Sequence, residues 1–265
     1  MSADTIARPR QGRLDSLIDR LGRRYFQEFP LSVGDTGAVV AQFYRSRVTT
    51  AFQPIRRAHN AERVGNHALL RVESATGESI APWGLFAQAG DDAALVKLDR
   101  LCRTVHALNY FASPSSRGDG VLFLNVERRL LTSVSADHGA WFEAVLALIG
   151  VPTTQVVIVM PAEVVDNPVA FVRAAISYRI RGYRVMVPVR SITEADLSHV
   201  FLADPHYVAL DSATGFGTRE TQRFLEALAR RGIHLLARGV ERPEQAEAAR
   251  RAGVELLQGF HVGRP

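Results

Sequence analysis

Eight short runs rich in β-branched and apolar residues alternate with helical patterns, and this alternation limits the fold more than any other feature of the sequence. The runs cover residues 49–55, 64–72, 121–126, 155–160, 183–189, 206–211, 233–237 and 256–261. Amphipathic helical patterns separate most of them, for example over residues 167–181 and 219–231. Eight strands with interposed helices in about 220 residues predict an α/β fold, a (β/α)8 barrel rather than an open sheet.

The first 38 residues are predicted to be a separate segment, and residues 39–265 the barrel domain. Between residues 11 and 26 the apolar side chains recur at helical spacing; they are Leu14, Leu17, Ile18, Leu21 and Tyr25. Arginines supply much of the opposite face. Two interpretations of this stripe stay open: it packs on its own domain, or it binds a partner helix, as in a homodimer. Residues 30–37, rich in proline and glycine, predict a linker.

Composition and charge exclude several classes of protein. The longest uncharged stretch is broken by turn residues, whereas a membrane helix needs about 20 predominantly apolar residues, so no membrane partner is expected. The single cysteine, Cys102, excludes an intramolecular disulfide and suits the cytoplasm, which is the predicted location. The net charge is +5, yet Lys97 is the only lysine and the arginines are scattered, so no nucleic-acid polymer is expected as a partner.

In a barrel of this kind the chemistry lies at the carboxyl ends of the strands. An ordered series of motifs stands at those ends: Phe52-Gln53-Pro54-Ile55, His67-Ala68-Leu69-Leu70-Arg71, Leu124-Asn125-Val126, Arg238-Gly239-Val240-Glu241, Gln258-Gly259-Phe260 and Gly263-Arg264-Pro265. Over about residues 39–265 this series resembles the EAL family of cyclic-di-GMP phosphodiesterases. The resemblance implies a barrel whose first strand runs antiparallel to the others.

Active members of that family hold two divalent metal ions at the barrel mouth, and a lysine helps to position the attacking water. Hard cations require several charged oxygen ligands. The resemblance places other residue types at the metal and lysine positions: His67, Ile158, Pro188, Val189, Ala209 and Arg238. His67 replaces the name-giving glutamate and Ala209 replaces the lysine. We therefore predict a degenerate domain with no metal, no cofactor and no catalytic residue.

Three functions stay open at this point. The first is a regulatory protein of cyclic-di-GMP-related signalling that binds a protein partner through the barrel surface. The second is a metal-independent receptor for cyclic di-GMP, with these candidate contacts: Gln53, Leu69, Arg71, Asn125, Arg238, Glu241 and Gln258. In that receptor Arg238 and a protonated His67 would neutralise the phosphodiester, unless Arg238 pairs with Asp211 or Glu241 and fills the pocket. The third is a residual phosphodiesterase.

Overall fold

The computed structural model describes residues 8–113, 120–133, 137–161, 168–190, 192 and 200–265. They fall into two compact units that alternate along the chain. The first unit comprises Met1–Ala51, Ala68–Gly118 and Ala140–Pro152. The second comprises Phe52–His67, Asp119–Gly139 and Thr153–Pro265.

The helices and strands follow one another much as the sequence pattern predicts. The helices are α1 (Arg8–Tyr25), α2 (Pro82–Ala87), α3 (Asp92–Ala107), α4 (Leu130–Ser133), α5 (Ala140–Ile149), α6 (Pro168–Ile180), α7 (Arg219–Ala229) and α8 (Pro243–Arg251). The strands are β1 (Leu31–Val33), β2 (Val39–Phe43), β3 (Ser46–Arg57), β4 (Arg63–Glu73), β5 (Ser79–Ile80), β6 (Val121–Asn125), β7 (Val156–Val159), β8 (Arg184–Val189), β9 (Tyr207–Asp211), β10 (His234–Arg238) and β11 (Leu256–Leu257).

A closed barrel of eight strands forms the second unit. Strands β6 to β11 pair in parallel with their neighbours in chain order, and β4 pairs in parallel with β6. The end of β3 runs antiparallel to β11, where Leu256 lies opposite Arg57, and β3 also pairs with β4, which closes the barrel. The predicted barrel fold and its antiparallel first strand are therefore confirmed.

Alternate residues of the strands fill the barrel interior. This interior core consists of Ile55, Val121, Phe123, Val157, Val159, Met186, Tyr207, Ala209, Leu236 and Leu256. Because side chains alternate along a strand, the same face continues two residues further, at Asn125, Asp211, Arg238 and Gln258. His67 belongs to this face as well, since it lies beside Phe123 in the register of β4 and β6. The packing of the core thus decides which side chains face the barrel mouth.

Helix α1 buries its apolar stripe within its own chain. Leu14, Leu17 and Leu21 are at most 5% exposed, and the helix packs against β1 and α5 of the first unit. Of the two interpretations of the stripe, the one that packs it on its own chain is confirmed. Strand β1 pairs with β2, with Leu31 opposite Ala41, so the predicted linker is wrong at these residues.

Strand β11 is much shorter than the predicted run of residues 256–261. The backbone turns at Gly259, whose φ is +155°. A Cβ atom on this residue would lie 2.2 Å from the Val240 carbonyl oxygen, so only glycine allows the close approach. This turn holds Gln258 at the end of the barrel. In the part of the chain that the structure describes, no helix combines the length and the apolar character of a membrane span.

Candidate functional site

Four polar side chains of the barrel interior form one chain of hydrogen bonds. The Nε2 atom of His67 lies 3.0 Å from Oδ1 of Asn125. The amide nitrogen of Gln258 lies 3.1 Å from Nδ1 of His67 and donates to Oε1 of Gln53 at 2.8 Å. His67, Gln53 and Gln258 are buried, whereas Asn125 is exposed at the end of β6. Sequence reasoning named all four residues, and the barrel brings them together.

The hydrogen bonds determine the protonation of His67. The amide nitrogen of Gln258 is a donor, so Nδ1 of His67 accepts its hydrogen bond. The Nε2 atom therefore carries the ring proton and donates a hydrogen bond to Oδ1 of Asn125. Burial lowers the pKa of His67, the positive charge of Arg238 lowers it further, and the hydrogen bonds to Asn125 and Gln258 partly oppose this. His67 is therefore neutral at pH 7 in the free protein, and the expected protonated His67 beside a phosphodiester stays a prediction about the bound state.

Arg238 is a partly buried cation at the end of β10. It lies opposite Asp211 in the strand register, yet it forms no ion pair with Asp211 or Glu241 in the described part of the chain. Asp211 instead accepts a hydrogen bond from the amide of Ala213 at 2.9 Å. The Nε atom of Arg238 is buried without a hydrogen-bond partner. Burial lowers the pKa of Arg238, and Asp211 raises it by a smaller amount.

Gln258 has a hydrogen-bond acceptor without a partner, just as the Nε atom of Arg238 is a donor without one. Its side chain is 5% exposed, and its Oε1 atom is buried without a hydrogen-bond partner. Its backbone amide donates to the carbonyl oxygen of Ala237, the residue before Arg238, at 2.9 Å. The end of the barrel therefore holds a positive charge with an unpaired N–H group and, from Gln258, an unpaired carbonyl oxygen, and both atoms are buried. This pair fits a ligand that has anionic oxygens and an N–H group.

The remaining positions compared with metal ligands are apolar. Pro188 and Ala209 are register partners on β8 and β9, and Ala209 belongs to the interior core. Ile158 and Val189 lie at positions that alternate with the interior core residues of β7 and β8. Their side chains therefore point to the other face of the sheet. In the described residues, no group of three or more His, Cys, Asp or Glu side chains is arranged to hold a metal ion.

The other nucleotide candidates lie outside the hydrogen-bonded chain. Leu69 and Arg71 belong to the first unit, on the part of β4 that follows His67. Arg71 is exposed and donates to the carbonyl oxygen of Leu70 at 3.3 Å. The side chain of Glu241 is exposed, and its backbone amide donates to Oε1 of Gln245 at 2.9 Å.

A connection between two mouth loops escaped the sequence reasoning. The hydroxyl of Ser212 donates to the carbonyl oxygen of Gly239 at 2.6 Å, and Gln245 donates to that hydroxyl at 3.1 Å. These bonds tie the loop after β9 to the loop after β10, which carries Glu241. The sequence offers one signal for this connection, the polar residues Glu244 and Gln245, which follow the Arg238-Gly239-Val240-Glu241 motif.

The sequence family described as the EAL domain matches residues 38–265. The chain belongs to the EAL domain family. Among solved structures, the chain is similar to the YkuI protein of Bacillus subtilis, with an EAL domain, in complex with substrate c-di-GMP and calcium. The TM-score is 0.68 at 21% identity, over 82% of this chain and 55% of that one.

Two other EAL structures are similar to this chain to a comparable degree. The BlrP1 manganese/cy-diGMP complex of Klebsiella pneumoniae has a TM-score of 0.64 at 20% identity, over 80% of this chain and 54% of that one. A standalone versatile EAL protein of Vibrio cholerae, in its c-di-GMP bound form, has a TM-score of 0.60 at 20% identity, over 80% and 90% of the two chains. The chain spans about half the length of the YkuI and BlrP1 chains. At these identities the likeness shows the fold, and no curated relative matches the chain.

Proposed function

We propose that this EAL domain is a regulatory protein that binds cyclic di-GMP without metal ions and does not hydrolyse it. The observation that carries the proposal is Arg238, a partly buried cation at the barrel mouth that forms no ion pair with a described carboxylate and whose Nε atom has no hydrogen-bond partner. A charge in this position is costly to bury unless a ligand neutralises it. The argument has two parts, one about metal ions and one about the nucleotide.

The residues of the mouth do not fit a pair of divalent cations. Two close metal ions need several carboxylates to offset their charge. The interior face instead presents neutral His67, Asn125 and Arg238 near one another, with apolar Ala209 on β9. Arg238 would repel a metal ion at short range, where screening is weak. This donor set supports the loss of hydrolysis, so we assign no catalytic residue.

The unused donor and acceptor match the chemistry of a guanine phosphodiester. Arg238 is placed to bind the phosphate with charge-assisted hydrogen bonds. The free Oε1 atom of Gln258 is placed to accept from an N–H group of the base. Structures of the YkuI and Vibrio cholerae proteins contain c-di-GMP, and the present chain shares their fold. The shared fold makes the nucleotide the first ligand to test, although a fold alone assigns no function.

Calorimetry with cyclic di-GMP, in EDTA and then in Mg²⁺, tests the proposal. We expect binding of equal strength in both buffers and no linear pGpG on prolonged incubation. Arg238→Ala should weaken binding by at least about ten-fold, because it removes a charge-assisted contact. Arg223→Ala, on the exposed face of α7, is the matched control and should bind like the wild type. Nucleotide turnover above the buffer rate, or binding only in Mg²⁺, would contradict the proposal.

A second candidate function is protein contact through the barrel surface, with a second copy of this chain as the partner. It is favoured by helix α6, on which Val169 and Ile180 are 74% and 81% exposed. Together with Ile176, which is 42% exposed, they recur at helical spacing on one face, and a contiguous exposed apolar patch is typical of an interaction surface. Sedimentation of the wild type should show a dimer, and Ile180→Glu should convert it to a monomer. A wild type that stays monomeric at high concentration would exclude this candidate.

Two further expectations belong to this proposal. We place the protein in the cytoplasm, where the free and buried thiol of Cys102 stays reduced. We also keep residues 1–38 as a segment distinct from the barrel domain of residues 39–265. Expression of residues 39–265 alone tests this division, since a folded product would show that the barrel does not need α1.

A further inference from the structure

A concave site lies in the first unit. It is a cavity of about 410 Å³ next to the end of α1. Its polar and aromatic lining includes Arg24, Tyr25, Glu28, Lys97, Arg100 and Trp141. Small-molecule sites have volumes of about 300–1,000 Å³, so the cavity is large enough for a compact metabolite.

The lining carries an excess of positive charge. Arg24, Lys97 and Arg100 are cationic, and Glu28 is the acidic residue among the lining side chains. The carboxylate of Glu28 accepts a hydrogen bond from Lys97 at 2.7 Å, so these two charges neutralise each other. The two arginines keep their full charge. The cavity therefore favours an anionic ligand.

Each of the two arginines is held by an aromatic ring rather than by a carboxylate. The guanidinium of Arg100 lies 5.0 Å from the ring centre of Trp141, and that of Arg24 lies 5.1 Å from that of Tyr25. Neither arginine forms an ion pair or a side-chain hydrogen bond with a described residue. Stacking covers one face of a guanidinium and leaves its N–H edge available to an anion.

Arg100 has the stronger need for a counterion. It is half-buried, and burial lowers its pKa, with a further contribution from the charge of Arg103. Asp99 opposes this effect, but its carboxylate forms a short ion pair with Arg103. Trp141, in turn, is fixed by an edge contact with Tyr25 at 5.2 Å. The rings of Tyr25 and Trp141, on which Arg24 and Arg100 stack, are therefore in contact. This contact places both guanidinium groups at one cavity.

We propose that this cavity binds a small phosphate monoester, a sugar phosphate or a mononucleotide, between Arg24 and Arg100. A phosphate monoester has the charge that the two arginines lack and the oxygen geometry that two guanidinium groups recognise. The size of the cavity leaves room for the organic part of the ligand. This site does not depend on the function proposed for the barrel mouth.

Tryptophan fluorescence can test the site directly. The chain has two tryptophans, and Trp83 is 77% exposed on α2. In a Trp83→Phe protein, emission therefore comes from Trp141 alone. Titration with ribose 5-phosphate should change this emission to saturation, while ribose at the same concentration should not. Calorimetry with GMP separates the two ligand types: at least about ten-fold tighter binding than ribose 5-phosphate indicates a mononucleotide, and equal binding indicates a sugar phosphate.

Substitutions in the same Trp83→Phe background complete the test. Arg24→Gln and Arg100→Gln should each weaken ribose 5-phosphate binding by at least about ten-fold. Arg20→Gln, on an exposed position of α1, is the control and should leave binding unchanged. Arg24 is exposed, so its substitution does not threaten folding even if that of Arg100 does. The proposal is overturned if potassium chloride at equal ionic strength gives the same emission change, or if Arg24→Gln binds like the wild type.

Discussion

Replacing Arg238 with methionine should make the free protein more stable while it removes the proposed nucleotide site. Methionine has a similar length and no charge, so it fills the same space without burying a cation. The wild-type guanidinium has an unpartnered Nε atom and no ion pair within the described residues. The substitution therefore breaks no hydrogen bond or ion pair with a described residue, and it removes an electrostatic cost that the charge of Asp211 only partly offsets.

The size of the gain follows from the burial of Arg238. Replacement of buried ionic groups by apolar residues of similar volume is often neutral or stabilising, by about 1–4 kcal/mol. Arg238 is only partly buried and has Asp211 nearby, so we expect the lower end, about 1 kcal/mol. For a chain of this length a change of this size raises the melting temperature by about 2–4 °C.

Urea unfolding followed by circular dichroism measures this difference, with Arg223→Met as the control. Arg223 is exposed on α7, so its replacement should change the free energy of unfolding by less than about 0.5 kcal/mol. The same Arg238→Met protein should fail to bind cyclic di-GMP in calorimetry. A loss of about 1 kcal/mol or more in Arg238→Met would refute the reasoning, since it would mean that the guanidinium has a stabilising partner in the folded protein.

Three other predictions concern packing, backbone geometry and pH. Leu21→Ala should destabilise the protein by about 2–5 kcal/mol in urea, because this side chain is fully buried; a small loss would mean that α1 detaches easily. Gly259→Ala should cost about 2 kcal/mol or more, because its methyl group would meet the Val240 carbonyl; a midpoint equal to the wild type would contradict this. Because the pKa of His67 in the folded state lies below its usual 6.5, the unfolded chain takes up this proton first. Stability should therefore fall as the pH drops through about 6.5 and stay constant above it. His67→Gln should reduce this slope, with His206, whose pKa is also lowered, providing the remainder.

The barrel strands were predictable because each is an apolar run long enough to stand out. Each of the eight predicted runs overlaps one strand of the barrel. Strands β1, β2 and β5 were missed, and two of them have only two or three residues, such as Leu31–Val33. Short strands leave no periodic pattern, and they form because a neighbouring strand offers hydrogen-bonding partners. Residues 30–37 predict a linker because of their proline and glycine residues, and the three residues of β1 leave no pattern against that prediction.

The candidate site was predictable in its residue types but not in its electrostatic state. Motif spacing alone predicts that His67, Asn125 and Gln258 lie at the same end of the barrel. The charge of His67 depends on its burial and on which ring nitrogen accepts a hydrogen bond. Neither property can be predicted from the spacing of the motifs. The free state of Arg238 could not be predicted either, because Asp211 is close enough to pair but uses its carboxylate to cap a turn.

In the proposed metal-free function, His67 and Arg238 support each other electrostatically. A glutamate in place of His67 would lie close to Arg238, whose charge already acts on this position. Such a pair would neutralise itself rather than attract a metal ion. A glutamate in place of Arg238, with His67 kept, would add a carboxylate next to an imidazole that Asn125 and Gln258 already hold by hydrogen bonds. Neither reversal alone rebuilds a cation site. For that reason we expect that metal binding at this mouth requires both positions to change together.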